Sequence, residues 1–280
     1  MRIALTGAKG QLGRALWPLL EAEHTLLGLD VPEHDITDRA RLLETLRAFR
    51  PQVIVHAAAW TDVDGCARDP ERAYRVNGMG TQFVAQCAAE LEAELVYIST
   101  NEVFPGTASA PYQEWDRPQP INPYGQSKLA GEWYVQHLTR RFMIVRTAWL
   151  YGPGGRNFPH RILQLADERG SLRVVEDEIG SPTYTLDLAA ALVQLLHTHA
   201  YGIYHLVNEG SASRYAFACE ILRQSGREQV PVTPIKAAEF ERASTPPLYA
   251  PLANVAAAAL GIRLRPWQEA LRDFLAQNAR

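Results

Sequence analysis

Short apolar runs alternate with amphipathic stretches along the first half of the chain. Residues 3–5 read as a strand and a helix opens at Gln11; Thr25–Leu29 reads as a second strand and Arg39–Phe49 as the helix after it. Residues 52–56, a long helical region over 70–91, a strand at 95–99, a polar proline-bearing loop, a helix over Pro123–Leu138 and a strand at 143–147 continue the pattern. Such alternation predicts right-handed βαβ units and a parallel sheet. Pro18 falls inside the first helix, where it is expected to kink the last turn. After Trp149 the elements shorten: a helix at 186–197, a strand at 203–207, helices near 213–225 and 267–277, and a loop through the prolines of 245–251.

Composition narrows the class. With 280 residues, 47% hydrophobic and 21% charged, the chain can bury one large core or two coupled ones, and extensive disorder is excluded. The net charge of -3 is spread among interspersed acids and bases, which gives neither a nucleic-acid surface nor a polybasic membrane anchor. Cys66, Cys87 and Cys219 are scattered, odd in number and in no metal-binding spacing, as in a reducing compartment. No apolar run reaches transmembrane length, and the opening residues run straight into a glycine motif with no room for a signal peptide. The expected location is the cytoplasm.

That motif is Gly7-Ala8-Lys9-Gly10-Gln11-Leu12-Gly13, lying between a strand and a helix as a dinucleotide loop must. Glycines allow close approach of backbone to pyrophosphate, and the helix amino terminus offers N–H groups and a partial positive charge. An ordinary tight strand-helix turn is the plainer reading. Asp30 closes the second strand about 20 residues on, where an acid bonds the adenosine ribose and favours NADH over NADPH, although Lys9 or Arg14 offers a 2'-phosphate a partner. Asp35 and Ile36 are placed to border the adenine. These features make the fold α/β: a Rossmann-type doubly wound parallel sheet over 1–150 that carries the cofactor and catalytic residues, with a smaller, interleaved α/β substrate-binding region over 151–280.

Tyr124 and Lys128 stand four residues apart and so share one helical face. A free phenol has a pKa of about 10 and exchanges protons poorly at neutral pH unless a neighbouring cation stabilises phenolate. Lys128 supplies that cation and can hold the nicotinamide ribose. Thr100, at the end of the fourth strand, offers a hydroxyl to orient a carbonyl at the carboxyl edge of the sheet. Taken singly, the pair fits an exposed helix face and the hydroxyl a strand end.

Together with Asp35-Ile36-Thr37-Asp38, His56-Ala57-Ala58-Ala59-Trp60-Thr61, Asn77-Gly78-Met79-Gly80-Thr81, Arg146-Thr147-Ala148-Trp149 and Gly180-Ser181-Pro182-Thr183, these residues resemble the extended short-chain dehydrogenase/reductase superfamily and, within it, the dTDP-4-dehydrorhamnose reductases, over nearly the whole chain. The resemblance implies hydride transfer from NADPH or NADH to C4 of a dTDP-4-dehydro-6-deoxy sugar. It also implies Tyr124 as proton donor, Lys128 and Thr100 beside it, Gly7, Gly10, Gln11, Leu12, Gly13, Ala57, Ala58, Ala59 and Thr61 around the cofactor, and Trp149 and Asn157 near the substrate. Core packing and helix capping are the plainer roles of the last two. The implied partner is a small nucleotide sugar, with a homodimer allowed. Some members use Mg2+, for which no acid cluster in the sequence marks a site.

Two departures bear on the substrate. The family reads Ser-Thr-Asp-Tyr-Val-Phe where this chain has Asn101 and Glu102 after Thr100, so both stand on the substrate side with altered chemistry. The related dehydratases place an acid directly after the threonine, and Asn101 has no proton to give. An Arg-Pro of the reductases is also missing near residue 246, with Arg242 just upstream. Rival readings are a ketoreductase, dehydratase or epimerase of another nucleotide sugar, or a non-catalytic NADP-binding regulatory subunit.

Overall fold

The computed structural model describes residues 1–155 and 157–278. Strands β1 (Arg2–Thr6), β2 (Thr25–Leu29), β3 (Val53–His56), β4 (Glu94–Thr100), β5 (Phe142–Thr147) and β10 (Gly202–His205) form one sheet in the order β10-β5-β4-β3-β1-β2. Every pairing in it is parallel. The order reverses between β1 and β3, because β2 lies on one side of β1 and β3 on the other. A crevice opens at such a switch point beyond the carboxyl ends of the strands.

Helices cover both faces because the strands are apolar on both. Leu12, Leu16 and Leu20 of α1 (Gln11–Glu21) meet Leu188, Leu192 and Leu195 of α8 (Thr185–Thr198) on one face. Leu42 and Leu46 of α2 (Arg39–Phe49), Val84 and Ala88 of α5 (Gly80–Glu90) and Val135 of α6 (Pro123–Leu138) pack on the other. Helix α1 runs through Pro18 to Glu21 with Pro18 on its exposed face, so the carbonyl that loses an amide partner meets water.

The helical region expected over 70–91 is broken into α4 (Pro70–Ala73), a π-turn (Tyr74–Met79) and α5, after a short α3 (Val63–Arg68). The widened turn carries Asn77, whose side chain leaves the helix to bond the loop after β3.

Beyond β5 the chain builds a second core. Tyr151, Ile162, Phe217, Ile221, Trp267 and Phe274 pack together from β6 (Leu150–Tyr151), α7 (Phe158–Arg169), α9 (Arg214–Gln224) and α11 (Trp267–Asn278). Around this core lie the paired short strands β6 with β9 (Thr183–Tyr184), β7 (Leu172–Val175) with β12 (Val232–Ile235), and β8 (Ile179–Gly180) with β11 (Ala212–Ser213). These ladders of two to four residues carry too little periodicity to be read from sequence. The second half also returns to the first: α8 covers the sheet and β10 is its sixth strand. A short α10 (Val255–Ala259) packs on β10.

Candidate active site

Gly7 turns the chain at φ +69°, and its N–H donates to the Leu29 carbonyl at 2.9 Å. A Cβ there would stand 2.8 Å from the Ala58 nitrogen, and one on Gly13 only 2.2 Å from the Gly7 carbonyl oxygen. The loop is therefore compressed between β3 and the first turn of α1 to a degree that only glycine permits. Gly10 is the N-cap of α1 and brings no side chain to it, which leaves the helix end fit for an anion.

Around this cradle, the Ala57 N–H donates to the Thr6 carbonyl (3.2 Å) and the Ala58 N–H to the Thr6 hydroxyl (3.3 Å), and Ala57, Ala58 and Ala59 are half-buried along the crevice. Thr61 is exposed at its rim. The Asp30 carboxylate accepts the N–H groups of Lys9 (2.7 Å) and Val31 (3.0 Å), which ties the end of β2 to the glycine loop. Lys9 and Glu33 pair beside it at 3.5 Å in the open. Asp35 is occupied by the amide and hydroxyl of Thr37 (2.9 and 2.8 Å). The side chains of Leu12 and Ile36 lie in the two cores that flank the sheet, so only their backbone can face a cofactor. Gln11 points toward Gly155, where a Cβ would come within 2.1 Å of its amide nitrogen.

Tyr124 and Lys128 lie one turn apart on the buried face of α6. Asn122 caps this helix by accepting the Gly125 N–H at 2.8 Å, and Gly125 lets the helix start press on the turn after β4: a Cβ there would be 2.1 Å from the Glu102 carbonyl oxygen. The phenol lies beside Thr100, and its pKa is raised by burial and then by the nearby Glu102 carboxyl. Burial thus outweighs the lowering expected from Lys128, and the phenol holds its proton throughout the neutral range.

The Lys128 ammonium rests 4.2 Å from the centre of the Tyr97 ring. Burial pulls its pKa down to about 7, with Glu132 acting in the opposite direction. Thr100 accepts the Glu102 N–H (3.2 Å) and reaches the Asn101 side-chain oxygen (3.3 Å). Asn101 is buried, with its amide donating to the Ala250 carbonyl (3.2 Å), so it anchors the loop at 245–252 and has no acid to offer. Glu102 is half-buried and receives the Asn122 amide at 2.6 Å; burial raises its pKa despite that bond.

Behind the reactive pair runs a polar chain that sequence reasoning did not assign to the site. The Thr81 hydroxyl donates to the Asn77 carbonyl (2.6 Å) and lies 3.0 Å from His56 Nε2, while His56 Nδ1 lies 2.7 Å from the Thr6 hydroxyl. With Thr81 already donating, His56 must carry its proton on Nε2, and Thr6 then donates to Nδ1. Burial holds His56 neutral, with its pKa down to about 3. Asn77 brackets Trp60, accepting its N–H (2.8 Å) and donating to its carbonyl (3.0 Å), and also reaches the Ser127 hydroxyl (3.0 Å) on α6. Histidine ending an apolar strand was the available signal; its partners are 25 and 50 residues away.

On the substrate side, Trp149 adopts φ +45° with Gly180 beneath its ring and the Arg214 guanidinium 3.5 Å from the ring centre. Buried Glu178 joins Arg214 (2.9 Å) to Arg242 (3.3 Å), which gathers two cations at this mouth. Asn157 accepts the His160 N–H at 3.1 Å and donates to the Gly152 carbonyl at 2.9 Å, so it caps α7. Among the described residues, one group of potential metal ligands comes together, Glu23, His24 and His197, beside Met1 at the opposite edge of the sheet.

A parallel sheet with a glycine cradle at its switch point, and a Tyr/Lys pair facing a threonine at a strand end, defines a Rossmann-type oxidoreductase of the short-chain dehydrogenase/reductase class. The chain matches the RmlD substrate binding domain model over residues 1–280 and belongs to that family. It is 38% identical to the Bacillus subtilis spore coat polysaccharide biosynthesis protein SpsK, over 99% of this chain and 98% of that one. It is 37% identical to the dTDP-4-dehydrorhamnose reductase of Aggregatibacter actinomycetemcomitans, over 98% of both. The crystal structure of dTDP-4-dehydrorhamnose reductase from Bacillus anthracis in complex with NADP superposes with a TM-score of 0.95 at 38% identity, covering 99% of each chain. A Thermus thermophilus UDP-glucose 4-epimerase shares the fold, with a TM-score of 0.83 at 21% identity. No described helix is long and apolar enough to cross a membrane.

Proposed function

We propose that this chain reduces the C4 ketone of dTDP-4-dehydrorhamnose to give dTDP-L-rhamnose. The observation that carries the reading is the Tyr124 phenol, kept protonated by burial on the inner face of α6 beside Thr100 at the carboxyl end of β4 and one turn from Lys128. Reduced NAD(P) supplies hydride to the carbonyl carbon when bound. Gly7, Gly10 and Gly13 fit its pyrophosphate, since Cβ atoms at 7 and 13 would fill the cradle, and Ala57, Ala58, Ala59, Thr61 and the backbone at 11, 12, 35 and 36 would line the rest. Tyr124 gives its proton to the developing alkoxide while Thr100 orients the oxygen. Lys128 stabilises the phenolate left behind. Trp149 offers its ring to the sugar or base, and Arg214 and Arg242 offer positive charge to the diphosphate, a role in which Arg242 stands in for the missing Arg-Pro. Glu102, half-buried beside the phenol, would meet the sugar ring.

The test mixes the protein with dTDP-4-dehydrorhamnose and NADPH or NADH, follows loss of the reduced-nicotinamide absorbance, and identifies the product by NMR. Oxidation that gives dTDP-rhamnose is expected; no oxidation with either cofactor sinks the proposal. The site needs no metal ligand for this proton transfer, so we expect turnover to persist in EDTA.

We further propose that NADH is preferred. The support is the Asp30 carboxylate at the end of β2, which already accepts two backbone amides and adds negative charge where a 2'-phosphate would come. Asp30→Ala is expected to move the NADPH/NADH ratio of kcat/KM toward NADPH by roughly tenfold, the value of one charged hydrogen bond. An unmoved ratio would count against Asp30 as the selector. A homodimer is proposed through the exposed hydrophobic residues Tyr74, Met79, Trp133 and Leu138 of the π-turn and α6, and light scattering of Trp133→Glu against the parent chain tests it.

A further inference from the structure

We propose that Glu132 is a positioning residue for the reactive pair: a carboxylate fixed by Ser99 and Arg146, one helical turn beyond Lys128, that keeps the Lys128 side chain charged beside Tyr124. The inference rests on the reading of Tyr124 and Lys128 as that pair. Tyr124, Lys128 and Glu132 recur at intervals of four on α6 and so form one line down its buried face.

Glu132 is fully buried and Arg146 is 2% exposed. Both carboxylate oxygens are spoken for. The Ser99 hydroxyl (2.6 Å) and Arg146 Nε (2.9 Å) donate to Oε1, and an Arg146 terminal nitrogen (2.7 Å) donates to Oε2. The other terminal nitrogen of Arg146 donates to the Glu114 carbonyl (3.3 Å) and lies 3.5 Å from His205 Nε2. His205 is neutral: burial and the adjacent Arg146 charge press its pKa to about 3. The clamp joins α6 to β4 and β5 and fixes its acid one helical turn from Lys128 on the same buried face, with its cation on β5.

Buried ion pairs are seldom justified by stability, because desolvation offsets most of their attraction. This one has a second use. Lys128 is enclosed by groups that give it no negative charge: the Tyr97 ring of β4, which it overlies, His56 of β3 stacked on that ring and held neutral, and the protonated Tyr124 on its own helix. Glu132 alone among them supplies the opposing charge, and Lys128 stands poised at about 7 between burial and that carboxylate.

Removing the acid should therefore lower the Lys128 pKa further and leave the amine neutral at pH 7. The chain has three lysines, Lys9, Lys128 and Lys236, so lysine labelled with 13C at Cε gives three signals, and Lys128→Met assigns the one of interest. We expect Lys128 to titrate near neutrality in the parent and at least about one unit lower in Glu132→Gln, with Lys9 and Lys236 unmoved.

If the uncompensated Arg146 unfolds that variant, Glu132→Gln/Arg146→Met removes both charges and is expected to show a smaller shift in the same downward direction, because the carboxylate one turn from Lys128 is gone and so is the cation that opposed it. In turnover, the alkaline limb of kcat/KM moves to lower pH by the same amount, whereas a purely structural role would lower the rate at every pH alike. A folded variant in which Lys128 titrates as in the parent overturns the assignment. A shifted Lys128 in a protein without reductase activity would count against the proposed reaction and leave the role of Glu132 standing.

Discussion

Tyr124→Phe should lose reductase turnover by about a thousandfold while binding reduced nicotinamide as the parent does, a loss in the range expected when a positioned general acid is removed. The variant keeps the ring that packs with Cys66 and Ala73 and gives up only the hydroxyl beside Thr100, so its melting temperature should stay close to that of the parent. Steady-state rates beside a fluorescence titration with NADPH measure both halves. Turnover within tenfold of the parent would remove Tyr124 from the chemistry, and unchanged biological function alongside it would favour a sensing subunit instead.

Gly13→Ala should act on the other half of the site. Its new methyl would lie 2.2 Å from the Gly7 carbonyl oxygen and 2.6 Å from that of Ala8, both backbone atoms of the cradle, so the loop rather than a side chain must give way. Overpacking of this kind costs about 1–3 kcal/mol, and where the displaced atoms form the binding site we expect the Kd for reduced nicotinamide nucleotides to rise roughly tenfold to a hundredfold. The same titration reads it, with circular dichroism to verify that the sheet is retained. Parent-like affinity would mean that the pyrophosphate does not sit on this loop.

These two positions were legible in the sequence because their signals are local. A glycine spacing between a strand and a helix, and two polar residues four apart on a helix, depend only on neighbours along the chain. The expected strands at 95–99 and 203–207 likewise correspond to β4 and β10 within one or two residues at each end.

What escaped was long-range or exceptional. His56, Thr81 and Thr6 meet across 25 to 50 positions, and no periodicity marks residues that find each other only when β1, β3 and the π-turn are side by side. Glu178, Arg214 and Arg242 come together from the residue before β8, the first residue of α9 and a loop. Trp149 owes its orientation to a left-handed backbone that a bulky residue rarely adopts. Leu12 and Ile36 turn their side chains into the two cores, since an aliphatic side chain beside a polar crevice gains more from burial than from lining it, and leave only their backbone to the crevice.

The π-turn at Tyr74–Met79 has a consequence for how this chain can vary. A turn that closes over five residues instead of four stores one surplus residue inside an otherwise regular helix, and each residue rotates an α-helix by roughly 100°. Deleting a single position there would restore ordinary winding and swing Asn77 away from Trp60 and Ser127. The active site is thus written partly in residue count, and a lineage that loses one residue in this segment must lose the bracket around Trp60 with it.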